Sequence, residues 1–214
     1  MTATPSSALP ASEPMSLPAR LVKRGFVRWF ERGGWSVQGA LPLPAKAVVM
    51  GGPHTSNWDF LVFVGAMERL GVRANYIGKA SLFRWGPMAR FMRGLGGIPV
   101  ERSMKNDLVA QVSAELRKAE RMLLVIAPEG TREATREWRM GFYRIALAAG
   151  VPIVPGGPDY GRKAAVFGPP IWPTGDPDKD LEPAWEFFRS LVPLHPDKVR
   201  FPDGSGMDGK AGTD

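Results

Sequence analysis

Short apolar runs alternate with longer amphipathic stretches from residue 17 to residue 201. In 105–120, Leu108, Val112 and Leu116 lie four positions apart, which is typical of a helix with one buried face. The apolar runs are shorter than an ordinary helix, and they predict strands. We predict strands at 47–51, 74–78, 97–100, 122–127, 151–155 and 163–167, and helices at 17–32, 57–70, 81–94, 105–120, 140–149 and 181–191.

This alternation predicts an α/β fold: a single domain with a mainly parallel or mixed central sheet flanked by helices. Residues 1–16 are rich in Pro, Ser and Ala, and residues 202–214 are rich in Gly and Asp. We predict that both ends are disordered tails around a domain at 17–201. The C-terminal stretch 204–211 matches two glycine-rich nucleotide motifs, but no strand precedes it and no helix follows, so we assign no nucleotide site there.

In folds of this kind ligands bind at the carboxyl ends of the strands. Polar and flexible residues follow four of the predicted strands directly, and they form the candidate site. They are His54 and Asp59 after the first strand, Lys79 after the second, Arg102 after the third, and Glu129, Gly130, Thr131 and Arg132 after the fourth.

His54 and Asp59 can act together only if the chain bends between them, because positions five apart lie about 140° apart on a helix. Ser56 is a typical N-cap residue, and Asp59 three residues later completes a capping box. With His54 in the preceding loop, Asp59 can accept a hydrogen bond from one imidazole nitrogen and leave the other free as a base. The alternative is that Asp59 only caps the helix and His54 is a polar turn residue.

The amino-acid composition limits the kinds of catalytic and metal sites that the chain can form. The chain has no cysteine and two histidines, which removes disulfides and thiolate chemistry and argues against a zinc site. The second histidine, His195, lies near prolines and is expected to be a surface spacer. No serine-nucleophile motif is present, so a His–Asp pair would act on a hydroxyl of the substrate itself. The net charge of +7 favours anionic partners such as acidic lipid, nucleic acid or phosphorylated molecules.

The segment 17–32 predicts a basic amphipathic helix. Its apolar side chains fall within about 100° of the helical wheel, which suits either a membrane interface or the core of the domain. They are Ala19, Val22, Phe26, Trp29 and Phe30. The segment 82–95 is a second candidate for contact with an acyl chain or a bilayer, or it is simply core. No run reaches the roughly 18 apolar residues of a membrane span, and the N-terminus does not match a secretory signal. We therefore expect a cytoplasmic protein, free or lying on a membrane surface.

Four short motifs occur in an order that resembles the glycerophosphate and lysophosphatidate acyltransferase family. They are PHTSNWD with its His-x4-Asp spacing, GIPVERS, PEGTR and VPIVP, and the resemblance covers roughly residues 45–170. The chain is most similar to the small bacterial branch of that family, which lacks transmembrane helices.

The resemblance implies an acyl transfer from acyl-CoA or acyl carrier protein to a hydroxyl of a lysophospholipid acceptor such as 1-acylglycerol 3-phosphate, without metal or other cofactor. It implies that His54 is the general base and that Asp59 orients it. Arg102, Gly130, Thr131 and Arg132 would hold the acceptor's phosphate, and Glu129 would organise their loop. It also implies a role in phospholipid biosynthesis at the inner face of the cell membrane. Glu133 replaces a small residue of the family, which leaves another lysolipid or a lipid-like alcohol open as acceptor.

Two other functions fit parts of the sequence. One is a catalytically idle lipid-binding protein of the same fold. The other is a basic nucleic-acid-binding module, which the net charge alone suggests. Nucleic-acid binding is not expected, because the basic residues gather at the N-terminal helix and at strand ends rather than between aromatic residues on one face.

Overall fold

A central sheet organises the part of the chain described by the computed structural model, residues 17–72, 74–94, 96–100 and 105–202. Within these residues seven strands lie in the order β1-β7-β6-β2-β5-β3-β4. Neighbouring strands are parallel, except that β6 and β7 are antiparallel. The strands are β1 (Ser36–Gly39), β2 (Lys46–Gly51), β3 (Ala74–Lys79), β4 (Gly97–Val100), β5 (Met122–Ile126), β6 (Ile153–Asp159) and β7 (Ala164–Phe167).

Helices cover the sheet. The α-helices of the described residues are α1 (Leu17–Arg32), α2 (Trp58–Arg69), α3 (Gly86–Gly94), α4 (Lys105–Lys118), α5 (Gly141–Ala149), α6 (Pro177–Asp180) and α7 (Glu182–Arg189). Helices α1 and α2 pack together, as do α4 and α5. None of these helices is long and apolar enough to cross a lipid bilayer.

The sheet separates two apolar cores because successive side chains of a strand point to opposite faces. In β2, Ala47 and Val49 pack in the core that α1 and α2 cover. The alternate residues Val48 and Met50 pack in the core that includes side chains of α4, α5 and α7. All four side chains are almost completely buried, so β2 lies at the centre of the molecule.

The C-terminal half of α1 is part of the domain. Phe30 is 1% exposed and belongs to the core under α2. A Cβ atom at Gly65 of α2 would lie 2.6 Å from the Phe30 ring, so a glycine is needed for this close approach. Trp29 stacks on Trp58 of α2 with a ring-centroid distance of 5.5 Å. Leu21, one turn of helix from Arg24, is in contrast 64% exposed.

The predicted fold class is confirmed: a single mixed α/β domain with a central sheet flanked by helices. Strand β1 was not predicted; the predicted helix 181–191 corresponds to α7, and the short helix α6 that precedes it was not predicted. The predicted strand 151–155 was placed too early, because β6 continues through a Gly-Gly-Pro sequence to Asp159. A Cβ atom at Gly157 would lie 1.8 Å from the carbonyl oxygen of Gly52, so this glycine permits a close approach instead of a turn. The predicted tails, Pro202 apart, lie outside the described residues.

Candidate active site

Three neighbouring parallel strands, β6, β2 and β5, end at the same edge of the sheet. The loop after β2 carries His54, the loop after β5 carries Glu129, and Tyr160 follows β6 directly. Side chains from loops that are distant in sequence therefore meet at the centre of this edge, where α/β folds bind their ligands.

His54 and Asp59 form the pair that their spacing predicted. Nδ1 of His54 lies 3.2 Å from Oδ2 of Asp59. A carboxylate oxygen only accepts hydrogen bonds, so in the neutral imidazole this contact places the proton on Nδ1 and leaves the lone pair of Nε2 free. The Asp59 side chain is 5% exposed and that of His54 is 29% exposed. The acid is thus enclosed by protein, whereas the imidazole reaches the surface of the site.

The start of α2 holds the Asp59 carboxylate in place. Its Oδ2 accepts hydrogen bonds from the backbone N–H groups of Thr55 and Ser56, both at 2.8 Å. The predicted N-cap was one residue early: the N-cap is Asn57, and the Ser56 hydroxyl accepts from the N–H of Trp58 at 3.2 Å. The carboxylate still folds back on the loop, as in a capping box, because its short side chain reaches those two amides.

Glu129 joins the loop after β5 to the loop after β2. Its Oε1 accepts a hydrogen bond from the backbone N–H of His54 at 2.8 Å, although the two residues are 75 positions apart. The side chain is 6% exposed. Burial raises the pKa of Glu129 from 4.5 to about 8, opposed by the His54 hydrogen bond and reinforced by the charge of Asp59. The carboxyl group is therefore mostly neutral at pH 7.

Arg132 also contacts the His54 loop, because its Nη1 donates a hydrogen bond to Oδ1 of Asn57. The Gly130 N–H donates to the carbonyl oxygen of Ala127 at 3.2 Å. The Thr131 hydroxyl accepts from the N–H of Glu133 at 3.2 Å. Arg132 and Thr131 are exposed. The loop thus presents a guanidinium group and a hydroxyl group beside the His–Asp pair.

The side chains of two further predicted site residues, Lys79 and Arg102, lie outside the described part of the structure. Lys79 is the last residue of β3, and its side chain lies outside the described part of the structure. Arg102 belongs to residues 101–104, which also lie outside the described residues. Glu133, an acidic departure next to the predicted phosphate loop, forms an ion pair with Lys198 at 3.2 Å. His195 is exposed, which agrees with a surface spacer.

An apolar cavity of about 230 Å³ opens beside His54 and Asp59. It runs between α2 and the sheet, and none of the described side chains of the predicted candidate segment 82–95 lines it. Besides Asp59, the side chains of α2 and the strands that line it are Val49, Phe60, Val62, Phe63, Ala66, Tyr76, Ile77, Val125, Pro158, Ala165 and Phe167. A base in the wall of an apolar cavity is suited to a reaction on the polar end of a hydrocarbon chain.

The sequence model of the Acyltransferase family matches residues 35–157, which is more than half of the chain. The chain belongs to the Acyltransferase family. The matched region includes His54, Asp59 and the loop of Glu129 to Arg132, and it confirms the resemblance that the four motifs indicated. No curated protein sequence matches the chain significantly.

Among solved structures, this acyltransferase is similar to the crystal structure of PlsC, the 1-acyl-sn-glycerophosphate (LPA) acyltransferase from Thermotoga maritima. The TM-score is 0.53, the sequence identity is 17%, and the superposition covers 79% of this chain and 78% of the PlsC chain. At this identity the comparison establishes a shared fold. The family assignment makes this chain an acyltransferase.

Two residues of the acyltransferase site were missed by sequence reasoning. Asn57 lies inside the His-x4-Asp motif, but nothing in the sequence indicates that Arg132 would reach it. The Tyr160 hydroxyl donates a hydrogen bond to Oδ1 of Asp59 at 2.7 Å. A tyrosine that directly follows a strand is a detectable signal, and it was lost here because β6 was predicted to end at residue 155.

Proposed function

We propose that this acyltransferase moves a fatty acyl group from an acyl thioester to a hydroxyl of a lysophospholipid-type acceptor in phospholipid biosynthesis. The first candidate for the acceptor is 1-acylglycerol 3-phosphate. The observation that carries the proposal is an imidazole, oriented by a buried carboxylate, in the wall of a mainly apolar cavity.

The His54 imidazole supplies the base. Its Nε2 accepts the proton of the acceptor hydroxyl, and the hydroxyl oxygen attacks the carbonyl carbon of the thioester. The Asp59 carboxylate stabilises the imidazolium ion that forms while the tetrahedral intermediate exists. The C–S bond then breaks, and the thiolate leaves with the proton from His54, so the base is regenerated and an oxygen ester is the product.

The apolar cavity accommodates hydrocarbon. Most side chains of α2 and the sheet that line it are apolar, and His54 and Asp59 belong to the same lining. A fatty acyl chain that entered here would remove apolar surface from water and place its carbonyl carbon beside the imidazole. The cavity therefore supports a long-chain acyl group as the transferred unit.

The loop after β5 offers the acceptor's phosphate a binding surface. The guanidinium of Arg132 is suited to paired hydrogen bonds with phosphate oxygens, and Thr131 adds a hydroxyl. Glu129 organises this loop through its bond to the His54 N–H. The ion pair with Lys198 compensates the charge of Glu133, which removes one objection to a phosphate-bearing acceptor. Gly130, Lys79 and Arg102 remain predicted contributors.

The reaction as written needs no metal and no cofactor beyond the donor's own thioester, carried by CoA or by acyl carrier protein. The proposed location is the cytoplasm, peripheral on the inner face of the cell membrane. The described basic side chains of α1 are exposed beside Leu21, and exposed Trp58 lies next to the His–Asp pair. The basic side chains of this group are Arg20, Arg24, Arg28 and Arg32. Basic and apolar side chains together suit an anionic lipid surface.

A thioester-release assay with purified protein tests the proposal. Long-chain acyl-CoA is the donor, lysophosphatidate and a lysolipid without a phosphomonoester are alternative acceptors, and mass spectrometry identifies the lipid product. We expect thiol release that depends on the acceptor and that falls about 10²- to 10⁴-fold in His54→Ala, the usual contribution of a positioned base. His195→Ala is the matched control and should keep full activity. Lipid binding without acceptor-dependent turnover would identify an idle lipid-binding protein, and full activity of a folded His54→Ala variant would refute the mechanism.

A further inference from the structure

The two oxygens of the Asp59 carboxylate have different surroundings. Oδ2 faces Nδ1 of His54 and accepts from two backbone amides of the loop after β2. Oδ1 accepts the hydroxyl of Tyr160 at 2.7 Å, and no other donor in the described part of the chain bonds that oxygen. Rotation about the Cβ–Cγ bond of Asp59 would move Oδ2 away from the imidazole, and the bond to Oδ1 opposes that rotation.

The fold holds the Tyr160 hydroxyl in position. The backbone N–H of Tyr160 donates to the carbonyl oxygen of Val192 at 2.8 Å. Its ring packs edge-on against Trp35, with a centroid distance of 5.1 Å and an interplanar angle of 87°. The preceding residue, Asp159, is 1% exposed and forms an ion pair with Arg162 at 2.7 Å. A backbone hydrogen bond, a ring contact and an ion pair therefore hold the turn after β6 in place.

The hydroxyl is also a permanent donor. Burial raises the pKa of Tyr160, and the adjacent Asp59 carboxylate raises it further. The phenol consequently keeps its proton throughout the pH range of the enzyme, and the proton points at a carboxylate that can only accept it.

We propose that Tyr160 is a positioning residue of acyl transfer: its hydroxyl holds Oδ1 of Asp59 so that Oδ2 stays on Nδ1 of His54. This inference rests on the proposed role of the His54–Asp59 pair. Tyr160 lies beyond the residues matched by the family, 35–157, so family membership does not assign it a role. The family motifs carry the base and the carboxylate, and the residue directly after β6 carries the group that orients the carboxylate.

Tyr160→Phe removes the hydroxyl and keeps the ring against Trp35. We expect kcat to fall about 10- to 100-fold, the cost of a small displacement of a catalytic group, with little change in the KM of either substrate. Tyr143→Phe is the matched control, because the Tyr143 hydroxyl donates to Oδ2 of Asp180 at 2.6 Å, outside the site. Tyr143→Phe should lose a similar hydrogen bond and a similar amount of stability, while its kcat should equal that of the parent enzyme.

A double-mutant cycle with Asp59→Asn separates positioning from packing. If Tyr160 acts through the carboxylate, Tyr160→Phe should change kcat by less than about twofold in the Asp59→Asn background. Equal losses in both backgrounds, or a parallel rise of both KM values with a drop in melting temperature, would overturn the inference. The activity of His54→Ala distinguishes a failure of the proposed acyl-transfer mechanism from a failure of the role proposed for Tyr160. If it remains active, the proposed mechanism fails; if it is inactive while Tyr160→Phe matches the parent, only the role of Tyr160 fails.

Discussion

The buried carboxyl group of Glu129 should make the stability of the enzyme depend on pH, and Glu129→Gln should remove that dependence. The amide is close in shape to the carboxyl group, and its oxygen can still accept the hydrogen bond that Glu129 receives from the N–H of His54. The substitution therefore changes the ability to ionise and leaves the contact in place.

The direction in which the free energy of unfolding changes with pH follows from the pKa of Glu129 in the unfolded and folded states. The unfolded chain releases the Glu129 proton near pH 4.5, whereas the folded protein keeps it up to about pH 8. Between these values the folded state binds more protons, so the free energy of unfolding decreases as the pH rises. Each pKa unit corresponds to about 1.4 kcal/mol, so ionised Glu129 destabilises the folded protein by a few kcal/mol above pH 8. Below pH 4.5 the group is protonated in both states and this contribution vanishes.

Urea unfolding followed by tryptophan fluorescence measures the effect at pH 5, 7 and 9. Glu129→Gln should be close to the parent in stability at pH 5 and should exceed it increasingly at pH 7 and 9. With a slope of about 1–3 kcal/mol per molar urea, the midpoint at pH 9 should rise by on the order of 1 M. Glu137→Gln, an exposed position of the same loop, is the control and should follow the parent at every pH. Parallel curves for Glu129→Gln and the parent would refute the reasoning.

Arg132→Ala should raise the acceptor KM about 10- to 100-fold, because a charge-assisted hydrogen bond is worth about 1.5–3 kcal/mol; Arg132→Lys should recover only part of this loss in steady-state kinetics. Ala66→Leu reduces the apolar cavity, and the ratio of kcat/KM for long-chain to short-chain thioesters should fall about tenfold at a stability cost of about 1–3 kcal/mol. Replacing three exposed arginines of α1 with glutamine should weaken binding to anionic vesicles by about 1 kcal/mol per residue, as measured by cosedimentation. The three positions are Arg20, Arg24 and Arg28.

Each of these variants has a matched control. Asn57→Ala breaks the contact with Arg132 and keeps the guanidinium, so it should leave most of the acceptor affinity. Ala146→Leu overpacks the opposite core and should leave the chain-length ratio unchanged. The vesicle experiment is controlled by the same charge change at exposed Arg117, Arg121 and Arg144, which are distant from α1 in sequence. An unchanged acceptor KM, an unchanged ratio, or equal vesicle binding by both triple variants would contradict the respective prediction.

The structure changes how the N-terminal helix should be tested. The sequence allowed its apolar face to lie in a membrane or in the core, and Phe30 and Trp29 pack on α2. Deletion of residues 1–32 would therefore open the core under α2. Substitution of exposed arginines leaves that packing intact, so a loss of vesicle binding can be attributed to charge.

The sequence by itself determined the α/β fold and the edge of the sheet that carries the site, and it offered the partnership of His54 with Asp59 as one of two interpretations. These conclusions depend on local information: the period of apolar residues defines the strands, and a spacing of five residues across a helix start brings an imidazole and a carboxylate together. The four motifs indicated the family for the same reason, because each is a short contiguous stretch that can be recognised without the fold.

The tertiary structure decided which distant groups complete the site. Glu129 is 75 positions from His54, Arg132 is 75 from Asn57, and Tyr160 is 101 from Asp59. Such contacts depend on strand order, on register and on close approaches such as that of Gly157 to Gly52, where a slip of one residue turns a side chain to the other face of the sheet. Hydrogen bonds require donor and acceptor within about 3 Å and in line, and only the packed sheet brings these groups to that distance.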